Sequence, residues 1–70
     1  MALLTVEFDV RTRKIKPIFD GVMDGSIKIL QTKSVGPSRD MKILEMSDNK
    51  AQEILAIDQS PAISIERIDD

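Results

Sequence analysis

The second half of the chain constrains the fold most, because residues 41–68 have the pattern of a strand, a short helix and a second strand in direct succession. Residues 41–46 predict the first strand, and residues 49–57 predict the helix. Pro61 ends the helix, because proline disfavours helical geometry at the residue before it. The alternation in residues 62–68 predicts the second strand. A chain with this unit has to bury a helix against a sheet.

The polar residues before the helix indicate where it begins. Ser47, Asp48 and Asn49 are residue types that cap a helix N-terminus. Asn49 followed by Gln52 is typical of a capping box. The helix and the two strands are then expected to share one dry interior. This interior is predicted to contain Ile43, Leu55, Ile63 and Ile65.

Residues 15–23 allow two interpretations. Their apolar side chains recur with the spacing of a helical stripe, and Pro17 suits a first helical turn. Against a helix, Asp20 and Gly21 form a dipeptide that is typical of a two-residue hairpin turn. Gly21 inside a helix also costs about 1 kcal/mol relative to alanine. The helix and the hairpin both stay open, and the stripe favours the helix.

The remaining segments complete an α+β pattern. Residues 4–10 alternate strictly and predict a strand with one wet face. Residues 26–35 predict another strand, in which Leu30 interrupts the alternation, and residues 36–40 have the composition of a turn. The predicted fold is a small, mostly antiparallel sheet with one or two short helices on one face, in β-α-β-β-α-β order or a close variant, as a single domain over residues 1–70. The face without helices is predicted to carry Thr5, Glu7, Thr32, Ser34 and Glu66.

Size and composition limit the chemistry of the chain. A domain of 70 residues buries only about 60% of the surface that its unfolded form exposes. The chain has no Cys and no His, so it lacks disulfides, the usual zinc ligands, a thiol nucleophile and a neutral-pH base. No cofactor, metal site or enzymatic activity is expected, and either idealised packing or self-association is expected to supplement the small core.

Charge and hydropathy bear on the partners. The net charge is -2, whereas nucleic-acid-binding domains are normally basic, so nucleic acid is not an expected partner. No stretch approaches the roughly 18 apolar residues of a membrane span, so no membrane partner is expected. The N-terminus has no basic region of the kind that begins a signal peptide, and we therefore expect a cytoplasmic location.

A basic cluster follows the first predicted strand. It consists of Arg11, Arg13, Lys14 and Lys16. No aromatic residue is interleaved with these cations to stack on a base, as single-strand-binding proteins require. The cluster is suited to phosphate, including that of a nucleic acid, or to an acidic partner. The simpler interpretation, which we favour, is a solvated strand end whose charge is balanced by Glu7 and Asp9.

The turn at residues 36–40 is the strongest candidate for an anion site. Gly36 and Ser38 lie in a turn that exposes backbone N–H groups, and Arg39 adds a planar cation that suits carboxylate or phosphate. Pro37 removes one donor, so a plain hairpin turn is the simpler interpretation.

The sequence AQEILAIDQSPAISIERI at residues 51–68 resembles the UTRA domain, the effector-binding half of GntR/HutC-type bacterial transcription regulators. That family has a small helix, a turn with proline and a strand reading aliphatic-x-aliphatic-x-Arg-aliphatic, and it places an upstream strand where residues 41–46 lie. The resemblance implies a chorismate-lyase-like α+β fold and sensing of small metabolites such as sugar phosphates or amino acids. It also matches Arg67 to an arginine that borders the ligand pocket. Complete UTRA domains are longer, so the resemblance implies that another chain completes the sheet.

These observations predict a non-catalytic ligand-binding or regulatory module that self-associates through a strand edge. The edge is expected from residues 41–46 and 62–68. The expected ligand is a small anion, held by Gly36, Ser38, Arg39 and Arg67. The alternative is a small accessory protein that docks on a larger protein complex without binding a small molecule.

Overall fold

The computed structural model of the protein describes residues 1–69, which form four strands and two helices. The elements are β1 (Ala2–Asp9), α1 (Lys16–Asp24), β2 (Ile27–Gly36), β3 (Arg39–Met46), α2 (Asp48–Leu55) and β4 (Ile63–Arg67). The predicted α+β class and the β-α-β-β-α-β order are confirmed. The hairpin alternative for residues 15–23 is wrong, because this segment is largely helix α1.

The four strands form one sheet in the order β2-β3-β1-β4. Each pair of neighbouring strands is antiparallel. The β1-α1-β2 unit spans β3, and the β3-α2-β4 unit spans β1, which is the split β-α-β arrangement. Strands β1 and β3 are therefore central, and β2 and β4 lie at the edges.

The core lies between one face of the sheet and the two helices. Strand β1 defines that face, because its even-numbered residues are buried while its odd-numbered residues are only half-buried. A single apolar cluster joins the sheet to both helices, so both helices lie on the same face. Its buried members are Ala2, Leu4, Val6, Phe8, Ile15, Ile18, Ile27, Leu44, Met46, Ala51, Ile54, Ile63 and Ile65.

We call the other side of the sheet the open face. Residues that pair directly across antiparallel strands point to the same side, so the register of the odd-numbered residues of β1 identifies its members. They are Leu3, Thr5, Glu7, Asp9, Lys28, Gln31, Lys33, Arg39, Met41, Ile43, Glu45, Ser64 and Glu66.

The prediction that Ile43 lies in the core is wrong. Ile43 pairs with Thr5 and belongs to the open face, whereas Leu44 and Met46 of the same strand are buried. The other three predicted residues do reach the core: Ile63 and Ile65 are buried, and Leu55 packs partly buried against them. The adjacent apolar residues Ile43 and Leu44 left the inward face of β3 ambiguous, and the pairing with β1 decides it.

A bulge in β2 changes which of its side chains face the helices. Ile29 pairs with Leu44 and Gln31 pairs with Ile43, so the register shifts by one residue at Leu30. After a bulge the alternation continues with opposite parity. Thr32 and Ser34, which were predicted on the open face, therefore lie on the helix side, and Lys33 takes their place.

Helix α2 begins earlier than the capping box predicts. The Ser47 side chain is the N-cap, and its Oγ accepts a hydrogen bond of 3.1 Å from the Lys50 backbone N–H. The predicted capping role of Asn49 is wrong, because Asn49 already lies inside the first helical turn. Ser47 was one of three suitable caps, and the sequence did not distinguish between them.

Gly21 is the residue that lets α1 approach the sheet. It is buried, and a Cβ at this position would overlap Ile27 Cδ1 and lie 2.7 Å from Ile27 Cγ1. The glycine that argued against a helix is thus required where the helix meets β2. Gly25 ends the helix in a left-handed conformation with a φ of 86°.

We predict that Gly21→Ala destabilises the protein by about 1 kcal/mol. Alanine gains about 1 kcal/mol of helix propensity, but overpacking a core contact costs about 1–3 kcal/mol. Urea unfolding followed by circular dichroism measures the difference. Gly36→Ala is the control, because its φ is ordinary and its Cβ would meet only Arg39 Cβ at 3.9 Å. We expect the control to be neutral or stabilising, and a Gly21→Ala variant as stable as wild type would contradict the packing argument.

Candidate functional site

A groove opens at the junction between β1 and α1. Its cavity volume is about 310 Å³, which is at the small end of the range for ligand sites. It lies on the helix side of the sheet, at the end of β1 where the chain turns into α1. The lining residues are Val10, Thr12, Arg13, Ile15, Lys16 and Phe19.

Asp9 holds the start of the loop that borders the groove. Its carboxylate accepts the Arg11 backbone N–H at 2.9 Å and two guanidinium N–H groups of Arg11 at 3.2 and 3.1 Å. These hydrogen bonds lower the pKa of Asp9 to about 2. The Val10 N–H also donates to the Ser38 carbonyl at 2.9 Å, which ties the loop to the β2–β3 turn.

The floor of the groove is apolar. Ile15 is buried, whereas Val10 is 51% exposed and Phe19 is 42% exposed. The Phe19 ring meets Phe8 edge to face, with 6.5 Å between the ring centroids. The other residues of the predicted helical stripe differ in burial. Ile18 is buried, whereas Met23, one turn beyond Phe19, is exposed. Of these two exposed apolar side chains of α1, only Phe19 lines the groove.

The rim of the groove is basic. Of the ten cations and twelve acids of the chain, four cations and no acid lie in residues 10–19, so the rest of the chain carries six cations against twelve acids. Lys16 pairs with Asp20 at 2.9 Å in an exposed ion pair. Lys14 donates from its Nζ to the Asp58 carbonyl at 3.3 Å. Within residues 1–69 no acid forms an ion pair with Arg13, which borders the cavity directly.

The sequence identified the cations of the groove but missed its floor. Asp9 balances Arg11, as predicted, but Glu7 forms its ion pair with Arg39 instead of the basic cluster. Val10 was taken as the last residue of an alternating strand and Phe19 as part of a buried stripe. The available signal was their position immediately beside the four cations.

The predicted anion turn is a two-residue hairpin turn between β2 and β3. Arg39 donates from Nε to Glu7 Oε1 at 3.1 Å and from Nη1 to the Pro61 carbonyl at 2.7 Å. The Ser38 carbonyl accepts the N–H of Val10, as described above, and the Gly36 carbonyl accepts from Ser34 Oγ at 3.3 Å. The turn is therefore held by internal contacts, and anion binding there stays a prediction.

Arg67 lies far from this turn and is also paired internally. Its guanidinium donates to Asp69 at 2.7 and 3.0 Å and to Asp48 at 3.0 Å. This pairing raises the pKa of Arg67 and lowers the pKa of Asp69 to about 2. Arg67 pairs with Leu4 of β1, and Arg39 pairs with Asp9 of the same strand. The two arginines therefore lie about 17 Å apart along the strand direction. They also lie on opposite faces of the sheet. The two arginines do not form one site.

Of the two segments predicted to supply a free strand edge, only residues 62–68 contain an edge strand. Residues 41–46 lie in β3, which pairs with β1 on one side and β2 on the other, so that part of the prediction is wrong. Strand β4 is an edge strand, but its outer side is covered. The Gln59 side chain accepts from the Ile65 N–H at 3.3 Å and donates to the Ile65 carbonyl at 3.1 Å. Ser60 exchanges two backbone hydrogen bonds of 3.1 Å with Ile63.

The described residues 1–69 contain neither a cluster of metal-ligating side chains nor a helix that could cross a membrane. No group of three or more acidic side chains lies close enough together to hold a metal ion. Neither helix is long and apolar enough to cross a membrane.

Comparison of the chain with protein-family models, with curated proteins and with solved structures gave no match. The resemblance of residues 51–68 to the UTRA domain therefore stays a prediction.

We predict that protonation of Asp9 and Asp69 weakens the fold in acid. Each has a pKa of about 2, below the ordinary value of 3.8, so each stabilises the folded state above about pH 4, and that stabilisation is lost as the pH falls through 2. NMR titration of the carboxyl carbons measures the two pKa values directly. In Arg11→Ala the pKa of Asp9 should return towards 3.8 while that of Asp69 stays low; an unchanged Asp9 pKa would contradict the assignment.

We predict that Gln59→Ala destabilises the protein by about 1–2 kcal/mol, because it removes both partners of the outward N–H and carbonyl of Ile65. The uncovered edge should also increase aggregation in light scattering. Gln52→Ala on α2 is the matched control, since the Gln52 side chain is exposed. Equal stability of the two variants would show that Gln59 does not protect the edge.

Proposed function

We propose that the protein is a non-catalytic interaction module that binds an acidic and apolar segment of a partner protein in the groove between β1 and α1. One observation carries the proposal: the groove combines an exposed apolar floor with the only strongly basic segment of the chain. Apolar side chains of a partner would fill the space beside Val10 and Phe19. Its carboxylates would meet Arg13 and Lys16 at the rim.

A protein segment fits this groove better than a small anion does. A small anion would leave the apolar floor exposed to water, whereas an amphipathic segment covers the floor and reaches the rim together. The predicted anion ligands Arg39 and Arg67 are both already paired with carboxylates. A small anion would have to compete with these internal partners.

A protein segment also fits better than a nucleic acid. Outside residues 10–19 the acids outnumber the cations two to one, so an extended phosphate backbone would be repelled beyond the groove. Phe19 is the single exposed aromatic side chain of residues 1–69, and single-strand binders stack successive bases on several aromatic rings.

We predict that a fluorescent amphipathic peptide of leucine and glutamate binds the protein, as measured by fluorescence anisotropy. Arg13→Glu and Phe19→Ala should each weaken binding by roughly tenfold, the first through charge and the second through lost apolar contact. Lys33→Glu is the matched control, because it makes the same change in net charge on the open face, away from the groove. The control should bind like wild type.

The same experiment separates the alternatives. A peptide of leucine and lysine should not bind. Binding of a single-stranded oligonucleotide with a steep salt dependence, without binding of the acidic peptide, would overturn the proposal in favour of nucleic acid. A rise in melting temperature with millimolar phosphate that is lost in Arg39→Ala, again without peptide binding, would favour small-anion sensing. An equal loss of peptide binding in Arg13→Glu and Lys33→Glu would show that binding depends only on the net charge of the protein, which would contradict the proposed groove.

A further inference from the structure

The open face carries an apolar centre that no helix covers. Leu3, Met41 and Ile43 lie there, and each is only partly exposed. Ile68 adjoins them, because its backbone N–H donates to the Leu3 carbonyl at 2.9 Å and its side chain is 43% exposed. These side chains lie on or beside the two central strands, where a facing surface can cover them together.

The charges at the two edges of the open face have opposite signs. Edge strand β2 presents Lys28 and Lys33, which share this face because of the bulge between them. The opposite edge strand, β4, presents Glu66. Within residues 1–69 these three side chains form no ion pair with any other residue. The face therefore has a positive edge at β2 and a negative edge at β4. Between them lie central strands on which the apolar Leu3, Met41 and Ile43 alternate with charged residues, which are Glu7, Asp9, Arg39 and Glu45.

We infer that the open face binds a second copy of the chain, related by a twofold axis parallel to the strands. This rotation places β2 of one copy over β4 of the other, so each positive edge meets a negative edge. Gln31, Ile43, Thr5 and Glu66 form one row across the sheet. Glu66 is therefore level with Gln31, and it would face the space between Lys28 and Lys33 of the other copy.

The charges exclude the other face-to-face twofold arrangement. An axis perpendicular to the strands would place β2 over β2 and β4 over β4. Lys28 and Lys33 would then face each other, and the two Glu66 side chains would meet at the opposite edge. Like charges brought together in this way are unfavourable. Both arrangements keep the strands aligned as stacked sheets require, so the edge charges decide between them.

A contact through the face also agrees with the state of the β4 edge. Gln59 and Ser60 already occupy the outward hydrogen-bonding groups of Ile65 and Ile63. On β2, the bulge and the exposed lysines oppose pairing with another strand. The open face needs no free backbone groups, and stacking two sheets buries its apolar centre.

Sedimentation equilibrium over micromolar to millimolar protein concentrations tests the inference with charge reversals. Wild type should show a concentration-dependent dimer. Glu66→Lys, and separately Lys28→Glu with Lys33→Glu, should each weaken the dimer at least about tenfold, because each puts like charges at both symmetric contacts. An equimolar mixture of these two variants should dimerise again, since every edge contact in the mixed dimer joins opposite charges.

Glu53→Lys is the control, because Glu53 is an exposed residue of α2 on the other layer of the molecule. Glu53→Lys should dimerise like wild type. Arg13→Glu should also dimerise like wild type, because Arg13 lies at the groove, and this result would show that dimerisation does not depend on the groove. A wild type that stays monomeric at all concentrations would overturn the inference. So would a dimer that Glu66→Lys leaves intact, or two weakened variants that do not associate on mixing while circular dichroism shows both folded.

Discussion

The pairing of β1 with β3 on one side and β4 on the other is the constraint on which the rest of the structure depends. The even-numbered residues of β1 are buried under both helices, and its odd-numbered residues run along the open face. Because side chains alternate with a period of two, a slip of one residue would exchange the two sets. Strands β3 and β4 take their positions from β1 by register, and the helices take theirs from the apolar side chains that they cover. Strand β2 is placed through β3.

The sequence was sufficient for the elements that have a strong local pattern. The alternation in β1 and the helix-turn-strand pattern at residues 48–67 each extend over several residues, so a single ambiguous position does not change the interpretation. The stripe in α1 favoured a helix but left the hairpin open, because Asp20 and Gly21 are typical of a turn. The predictions that failed concerned residues whose orientation is set by contacts with residues distant in sequence. Ile43 lies on the open face because of its register with Thr5, and Thr32 lies on the helix side of the sheet, where it is exposed, because of the bulge at Leu30.

The candidate site could be predicted only in part for a related reason. The four cations at residues 11–16 are visible in any reading of the chain, but the groove also needs Val10 and Phe19, which alternation and helical spacing assigned to the core. Exposure of such residues depends on where the sheet and the helix end relative to each other. Arg39 was predicted from the chemistry of arginine beside a turn, and Arg67 from its match to the UTRA family. Their carboxylate partners are Glu7 of β1 for Arg39, and Asp48 at the start of α2 together with Asp69 for Arg67.

The two surfaces lie on opposite layers of the molecule and differ in chemistry. The groove belongs to the helix layer and combines positive charge with apolar side chains, whereas the open face combines an apolar centre with edges of opposite sign. Occupation of one leaves the other accessible. A pair of chains joined through their open faces would therefore present two grooves on its outer sides, and a partner with two acidic segments could gain affinity by engaging both.

The cover on β4 also bears on the chemical ageing of the protein. Gln59 serves as a short substitute for a fifth strand, because one amide supplies both an acceptor and a donor to Ile65. Deamidation to glutamate would leave the acceptor and remove the donor, and the new carboxylate would face the Ile65 carbonyl. Hydrolysis of the Gln59 amide would thus weaken the hydrogen bonding that covers the β4 edge without altering any residue of the core.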